Sequence, residues 1–208
     1  TDIKGENHAV TARHREALGP VHALAPFHSD ICNAGINPLD TIRVGTGCEV
    51  DDARLIAEML VATEVGDGAH WEREGRTLLT GLLLFVVTEL PAHRRTMAEL
   101  RALLMRDREG SDALFRTMRE AAHPVVVRIA EGFGQKEPKE RAAIISTAQA
   151  ATAVFDSPAL ATVTARSTFR FERLKEETRS VYLIIPPDYV AAYQPFLRLM
   201  VGLATAAM

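Results

Sequence analysis

The residues best suited to chemistry stand at the start of the chain. Asp2-Ile3-Lys4-Gly5-Glu6 places a carboxylate, an ammonium and a permissive glycine just ahead of a helical pattern. Open α/β sheets bind ligands in the crevice beyond the carboxyl ends of their strands. If Thr1 ends a strand, Asp2 and Lys4 face that crevice; the plain alternative is a polar loop with a local Lys4–Glu6 contact. The residue types also permit a hydrolase built on Asp2, Glu6 and His14. A second charged feature is an arginine run. Residues 94–119 hold Arg94, Arg95, Arg101, Arg106, Arg108, Arg116 and Arg119 against four acids, a net charge of +3. That is a candidate docking surface for nucleic acid or an acidic protein tail, or simply a solvated helical face. It lacks the aromatic interleaving that single-strand binders use for base stacking.

The familiar catalytic signatures are absent. No GxxxxGK[ST] phosphate loop, GxGxxG or GxSxG occurs, and Gly45-Thr46-Gly47 reads as lacking both the lysine and the helix start that a phosphate cradle needs. His8 and His14 fall on different faces of one helix, and His22, His28, Cys32 and Cys48 lack zinc-ligand spacing. His70 and Glu74 stand four apart, but His-Trp-Glu-Arg-Glu has no second histidine, so a surface contact or helix-entry packing is the simpler reading. No metal site and no catalytic residue is assigned.

Composition sets the frame for these groups. The chain has 208 residues, 47% hydrophobic and 25% charged, with a net charge of −3. Such a chain buries a real core and is not disordered, and no global basic excess drives it onto a phosphate backbone. Two cysteines do not make a disulfide framework and suit a reduced compartment. The apolar runs at Leu82–Val87 and Leu199–Met208 fall short of the roughly 18 residues of a membrane span. The chain opens at Thr1 without methionine and closes at Met208 inside an apolar pattern, which reads as a piece of a larger protein.

The elements come next. Asn7 caps a helix over Ala9–Leu18, and Val21–Leu24 is a short strand. Ala25 to Glu49 is loop with one short strand at most. Asp51 or Asp52 caps a helix that Gly66-Asp67-Gly68 breaks, and a long helix runs from Trp71 to Leu90 with Leu78, Leu79, Leu82, Phe85 and Val86 on one face. Thr96 and Glu99 form a capping box for a helix to Arg106, and Ser111 caps another. Pro124 opens a helix to Phe133, with a hinge-like break at Gly132-Phe133-Gly134. Pro138 and Pro158 open two more. Ser180 to Ile185 is a buried strand of the parallel-sheet type, and Asp188 caps a last helix, Tyr189–Met208.

Four blocks in order carry a family resemblance. They are Asp2-Ile3-Lys4-Gly5-Glu6 with Thr11, Arg13 and His14-Arg15; Pro26-Phe27 with Asn37-Pro38-Leu39; His70-Trp71-Glu72; and Ser167-Thr168-Phe169 through Tyr182–Asp188 to Leu197-Arg198-Leu199-Met200. Together they resemble the bacterial coupling ATPases of type IV secretion and conjugation. Ile3 replaces the proline usual in that family's first block. The resemblance implies a mostly α fold with a small α/β part: an all-helical domain, 51–166, inserted into an incomplete RecA-like nucleotide-binding domain made of 1–50 and 167–208. It implies a parent anchored in the inner membrane as a homohexamer, hydrolysing ATP with magnesium, with this piece on the cytoplasmic side and itself a monomer or weak oligomer. The family's phosphate-loop and Walker B strands fall outside the chain, so no enzymatic activity and no cofactor is expected of it. Asp2, Lys4, Gly5 and Glu6 then lie near the nucleotide, and the helical domain receives relaxosome or effector proteins, with DNA, for transfer. The alternative is a stand-alone helical interaction or regulatory module.

Overall fold

A computed structural model describes residues 1–61 and 69–208. The break expected at Gly66-Asp67-Gly68 lies outside these residues. The fold is mostly helical with a two-stranded sheet. Strand β1 (Val21–Leu24) pairs in parallel with β2 (Ser180–Leu183), Val21 opposite Ser180 and Leu24 opposite Leu183. The ladder runs one step past each end: Ser180 N donates to Pro20 O at 3.0 Å, and Ile184 N to Leu24 O at 2.9 Å. Asp2 N donates to Leu183 O at 2.8 Å, so the first residues lie along β2 at its carboxyl end.

Helix α1 (Glu6–Glu16) starts three residues earlier than expected. Asp2, not Asn7, supplies the cap: its carboxylate accepts from His8 N at 2.8 Å and Asn7 N at 3.4 Å. Gly5 makes the turn at φ +71°, a left-handed conformation that costs a side-chain-bearing residue about 1 kcal/mol. Between β1 and the next helix, the described chain forms one 3-10 turn, Pro38–Thr41, and no strand.

Helix α2 (Glu49–Leu60) begins before both aspartates proposed to cap it. Asp52 faces Arg43 instead. The central helix α3 (Ala69–Glu89) buries every residue from Leu78 to Val87, so it is apolar all round rather than striped. Helix α2, α4 (Met97–Leu104), α6 (Pro124–Gly134) and α7 (Pro138–Thr152) pack on it, and α5 (Arg108–Arg119) packs on α6. Thr96 caps α4 as expected, accepting from Glu99 N at 3.1 Å. The cap of α5 is Asp107, a turn earlier than Ser111, accepting from Gly110 N at 2.8 Å. As expected, Pro124 opens α6 and the helix ends in the Gly132-Phe133-Gly134 stretch, at Gly134; Phe133 is buried and stacks on Phe115 with ring centroids 4.3 Å apart, which holds the last turn in place.

After α8 (Pro158–Val163) and a single turn, α9 (Arg173–Glu176), the chain re-enters the sheet and closes with α10 (Gln194–Ala207). Asp188 does not cap α10; Pro187–Tyr189 is a separate 3-10 turn. One hydrophobic cluster runs from Leu24 and Leu183 at the sheet through α3 to Leu199 and Leu203 of α10. Helix α2 packs on α10, where Arg198 donates to the carbonyls of Met59 and Leu60 (the latter at 2.6 Å), satisfying orphan groups at the end of α2. The chain leaves and returns at one seam. There Ile36 N donates to Val163 O, Thr168 N to Gly35 O, and Asn37 N to Ser167 Oγ, at 2.9 to 3.0 Å. Among the described residues, no helix is long and apolar enough to cross a membrane.

Candidate functional site at the carboxyl edge of the sheet

Three backbone segments meet where β1 and β2 end: the Asp2–Gly5 loop, Ala25-Pro26-Phe27, and Ile185-Pro186-Pro187. The structure divides the first block by role. Asp2 is buried at 5% exposure, with its carboxylate spent on capping α1. Gly5 provides the turn. Lys4 and Glu6 are exposed and make no ion pair with each other or with any other described residue. Lys4 thus stands exposed in the loop that follows Asp2, whose own amide bonds Leu183 O at the end of β2. The general-base role open to Asp2 is closed by its two amide partners, and His14 lies exposed near the far end of α1. Helix α1 buries no residue. It is held to β2 by Thr11 Oγ1 against Tyr182 Oη at 2.6 Å, by Arg15 Nε donating to Ser180 Oγ at 2.6 Å, and by His8 edge-on to Tyr182.

Sequence reasoning missed the aromatic group at this edge. Phe27 lies 4.8 Å from Tyr189 and 4.9 Å from Tyr193 between ring centroids. The signal was present only as single residues 162 and more positions apart, which no periodicity links.

The other glycine-rich turn has a surprise. Gly45 and Gly47 both take positive φ (79° and 84°), and α2 does start just beyond them, contrary to expectation. Yet this is no phosphate cradle. Gly47 N already donates to Glu49 Oε2 at 2.9 Å, and Asp51 and Asp52 complete an acidic first turn. Backbone amides, its own first and then that of Gly47, hold the Glu49 carboxyl below the usual range. A phosphate would meet the Glu49 carboxylate where the Gly47 amide points. The Gly45–Gly47 turn therefore does not fit a triphosphate.

The seven arginines do not form one surface. Arg101 is buried, its guanidinium paired with Asp156 at 2.6 Å, and it leaves the docking set. Arg94 is tied to Glu99 at 2.5 Å, and Arg95 Nε donates to Leu90 O at 2.8 Å. Arg106, Arg108, Arg116 and Arg119 are exposed. Away from this region, His22 stacks on Phe169 at 4.2 Å; burial first, and Arg179 second, lower its pKa. Glu74, the partner considered for His70, instead accepts from Lys136 at 3.1 Å. Cys32 and Cys48 are free thiols.

A mostly helical fold with one small parallel sheet, its edge lined by the Asp-Ile-Lys-Gly loop that caps α1, is the class this structure defines. The model for the family described as type IV secretory system conjugative DNA transfer matches residues 1–208, and the chain belongs to that family. Two Escherichia coli proteins, each named conjugal transfer protein TraG, are 28% identical over 218 and 220 aligned residues, covering 98% of this chain. The chain spans about a third of their length, 34% in each case. Among solved structures, the bacterial conjugative coupling protein TrwBdeltaN70 in its unbound monoclinic form matches 90% of this chain and 40% of its own, with a TM-score of 0.62 at 17% identity. That likeness concerns the fold.

Proposed function

We propose that this chain is the substrate-receiving part of a conjugative coupling ATPase. In this reading α2 to α8 form a helical domain inserted between adjacent strands of a RecA-like sheet. The observation that carries it is the pairing of β1 with β2, whose sequence separation is filled, among the described residues, by helices and turns. The seam between Gly35–Asn37 and Val163–Thr168 brings the two crossing points together, as an insertion requires. The helical part presents relaxosome proteins and DNA, or a protein effector, to a motor. The motor's phosphate-binding and magnesium-binding residues belong to the rest of the parent, an inner-membrane homohexamer whose cytoplasmic portion includes this chain. Lys4 and Glu6 at the strand ends then face the nucleotide of the assembled motor.

Two measurements test this. The purified chain should hydrolyse no ATP above buffer, and the immobilised chain should retain a relaxase bound to its origin DNA. Turnover by the chain alone, or failure to retain that complex, refutes the proposal.

A further inference from the structure

A groove of about 440 Å³ runs between α5 and α7. That is the size of a small-ligand pocket, enough for a short peptide segment and too small for a folded surface. Its floor is Phe115 and Ile145, with Phe133 behind; its rim carries Arg106, Arg108 and Arg141. The rim is electropositive by count, with three guanidiniums against the carboxylates of Asp107 and Asp112. Arg106 and Arg108 make no side-chain hydrogen bond or ion pair with any described residue. Arg141 has only Asp112, at 3.9 Å, for a partner. The remaining carboxylate there, Asp107, is spent capping α5.

We propose that this groove binds an acidic peptide segment anchored by one aliphatic side chain, and so selects protein substrates; this rests on the substrate-receiving reading above. The floor takes the aliphatic group and the guanidiniums take flanking carboxylates, which they can grip in bidentate fashion. A single-stranded nucleic acid is the poorer fit. The Phe115 and Phe133 rings lie within 18° of parallel and spend faces on each other, so they offer bases no open stacking platform.

The test is fluorescence anisotropy on the purified chain. The probes are a labelled peptide of one leucine flanked by glutamates, the same peptide with lysines in their place, and labelled oligothymidylate. The glutamate peptide should bind and the lysine peptide should not. Arg106→Glu/Arg108→Glu should weaken binding on the order of tenfold or more. It should still fold, because Arg108→Glu puts an acid into the first turn of α5. Ala142→Trp, an exposed position on the groove wall, should block the aliphatic anchor with charges unchanged and weaken binding to a similar degree. The proposal is overturned if no glutamate peptide binds, if both peptides bind equally, or if the arginine variant weakens binding and Ala142→Trp does not. It is also overturned if oligothymidylate alone binds and alone responds to the arginine variant. Should the wild-type chain and both variants retain the relaxase complex equally, the groove is refuted and the wider reading stands. Should the wild-type chain retain none, the wider reading itself fails.

Discussion

The Arg101–Asp156 pair tests whether the structure has sorted framework charges from working ones. Arg101 Nε and Nη2 donate to the two carboxylate oxygens of Asp156 at 2.8 and 2.6 Å, and Nη1 donates to Gln149 O at 2.7 Å. The pair is unequally desolvated: the arginine side chain is 10% exposed and the aspartate 58%. The two deletions should therefore differ. Asp156→Ala strands a buried guanidinium. Breaking a fully buried pair costs roughly 3–5 kcal/mol, and the surviving bond to the Gln149 carbonyl brings this down to about 2–3 kcal/mol. Arg101→Met keeps an apolar stem in the same space and leaves Asp156 to rehydrate. What is lost is chiefly the bond to the Gln149 carbonyl, about 1 kcal/mol. Urea unfolding followed by circular dichroism at neutral pH should rank Asp156→Ala as the more damaging change, with the slope on denaturant unchanged. The pH dependence supplies a second reading. Hydrogen bonds from Arg101 hold the Asp156 carboxyl below its usual range. A depressed folded pKa means the unfolded chain takes up the proton first. The stabilisation is then present above the ordinary carboxylate pKa, about 3.9, and is lost as pH falls through the folded value. The gap between wild type and Asp156→Ala should be full at neutral pH and close in acid. Equal costs for the two variants, or Arg101→Met the worse, would refute the argument from unequal burial.

Three further outcomes are expected. Asp2→Ala removes the α1 cap, typically worth about 1 kcal/mol, but α1 buries nothing; amide exchange at Asn7 and His8 should speed up while the global urea midpoint barely moves. Gly81→Ala should lower the melting temperature although helix propensity alone predicts a gain of about 1 kcal/mol, because the new Cβ would sit 2.7 Å from Ile129 Cγ2; Ile129→Ala in the same chain should recover part of the loss, and a raised melting temperature would contradict this. His22 has a lowered folded pKa, so the unfolded state binds the proton first and stability should fall as pH drops below about 6.5; His22→Phe, which keeps the stack on Phe169, should flatten that dependence in urea midpoints measured on either side.

Much of the architecture was legible because burial imposes periods on the chain. The run from Leu78 to Val87 and the β-branched stretch before Pro186-Pro187 announced the central helix and β2. Helix starts were legible where proline sits at the first helical position, at Pro124, Pro138 and Pro158, and where a single capping residue competed for the role, as at Thr96. Where several polar residues crowd one start, sequence cannot say which side chain is already engaged. Asp52 was taken by Arg43, which reaches it with Nε at 2.9 Å and Nη2 at 2.7 Å. Asp107 outcompeted Ser111 by lying a turn upstream, and Asp2 displaced Asn7 because Gly5 can turn left-handed between them.

The candidate site was legible in its residue types and not in its division of labour. Asp2 and Lys4 look alike as charged loop residues, yet one is buried in a cap and the other stands in solvent. The arginine run shows what signal could have separated such roles. Met97, Leu100, Arg101 and Leu104 fall at i, i+3, i+4 and i+7, so the helical period itself puts Arg101 on the inward stripe of α4. A guanidinium on that stripe has to find a carboxylate, because an unpaired buried cation is too costly to keep. The period thus predicts that Arg101 is structural, and it predicts the kind of partner. It cannot predict which one, since Asp156 lies 55 residues away at the end of a 3-10 turn. Arg106 and Arg108 carry no such inward placement. Their freedom from internal partners, which makes them available to a substrate, becomes visible only once Asp107 is seen to cap α5 and Asp112 to face Arg141.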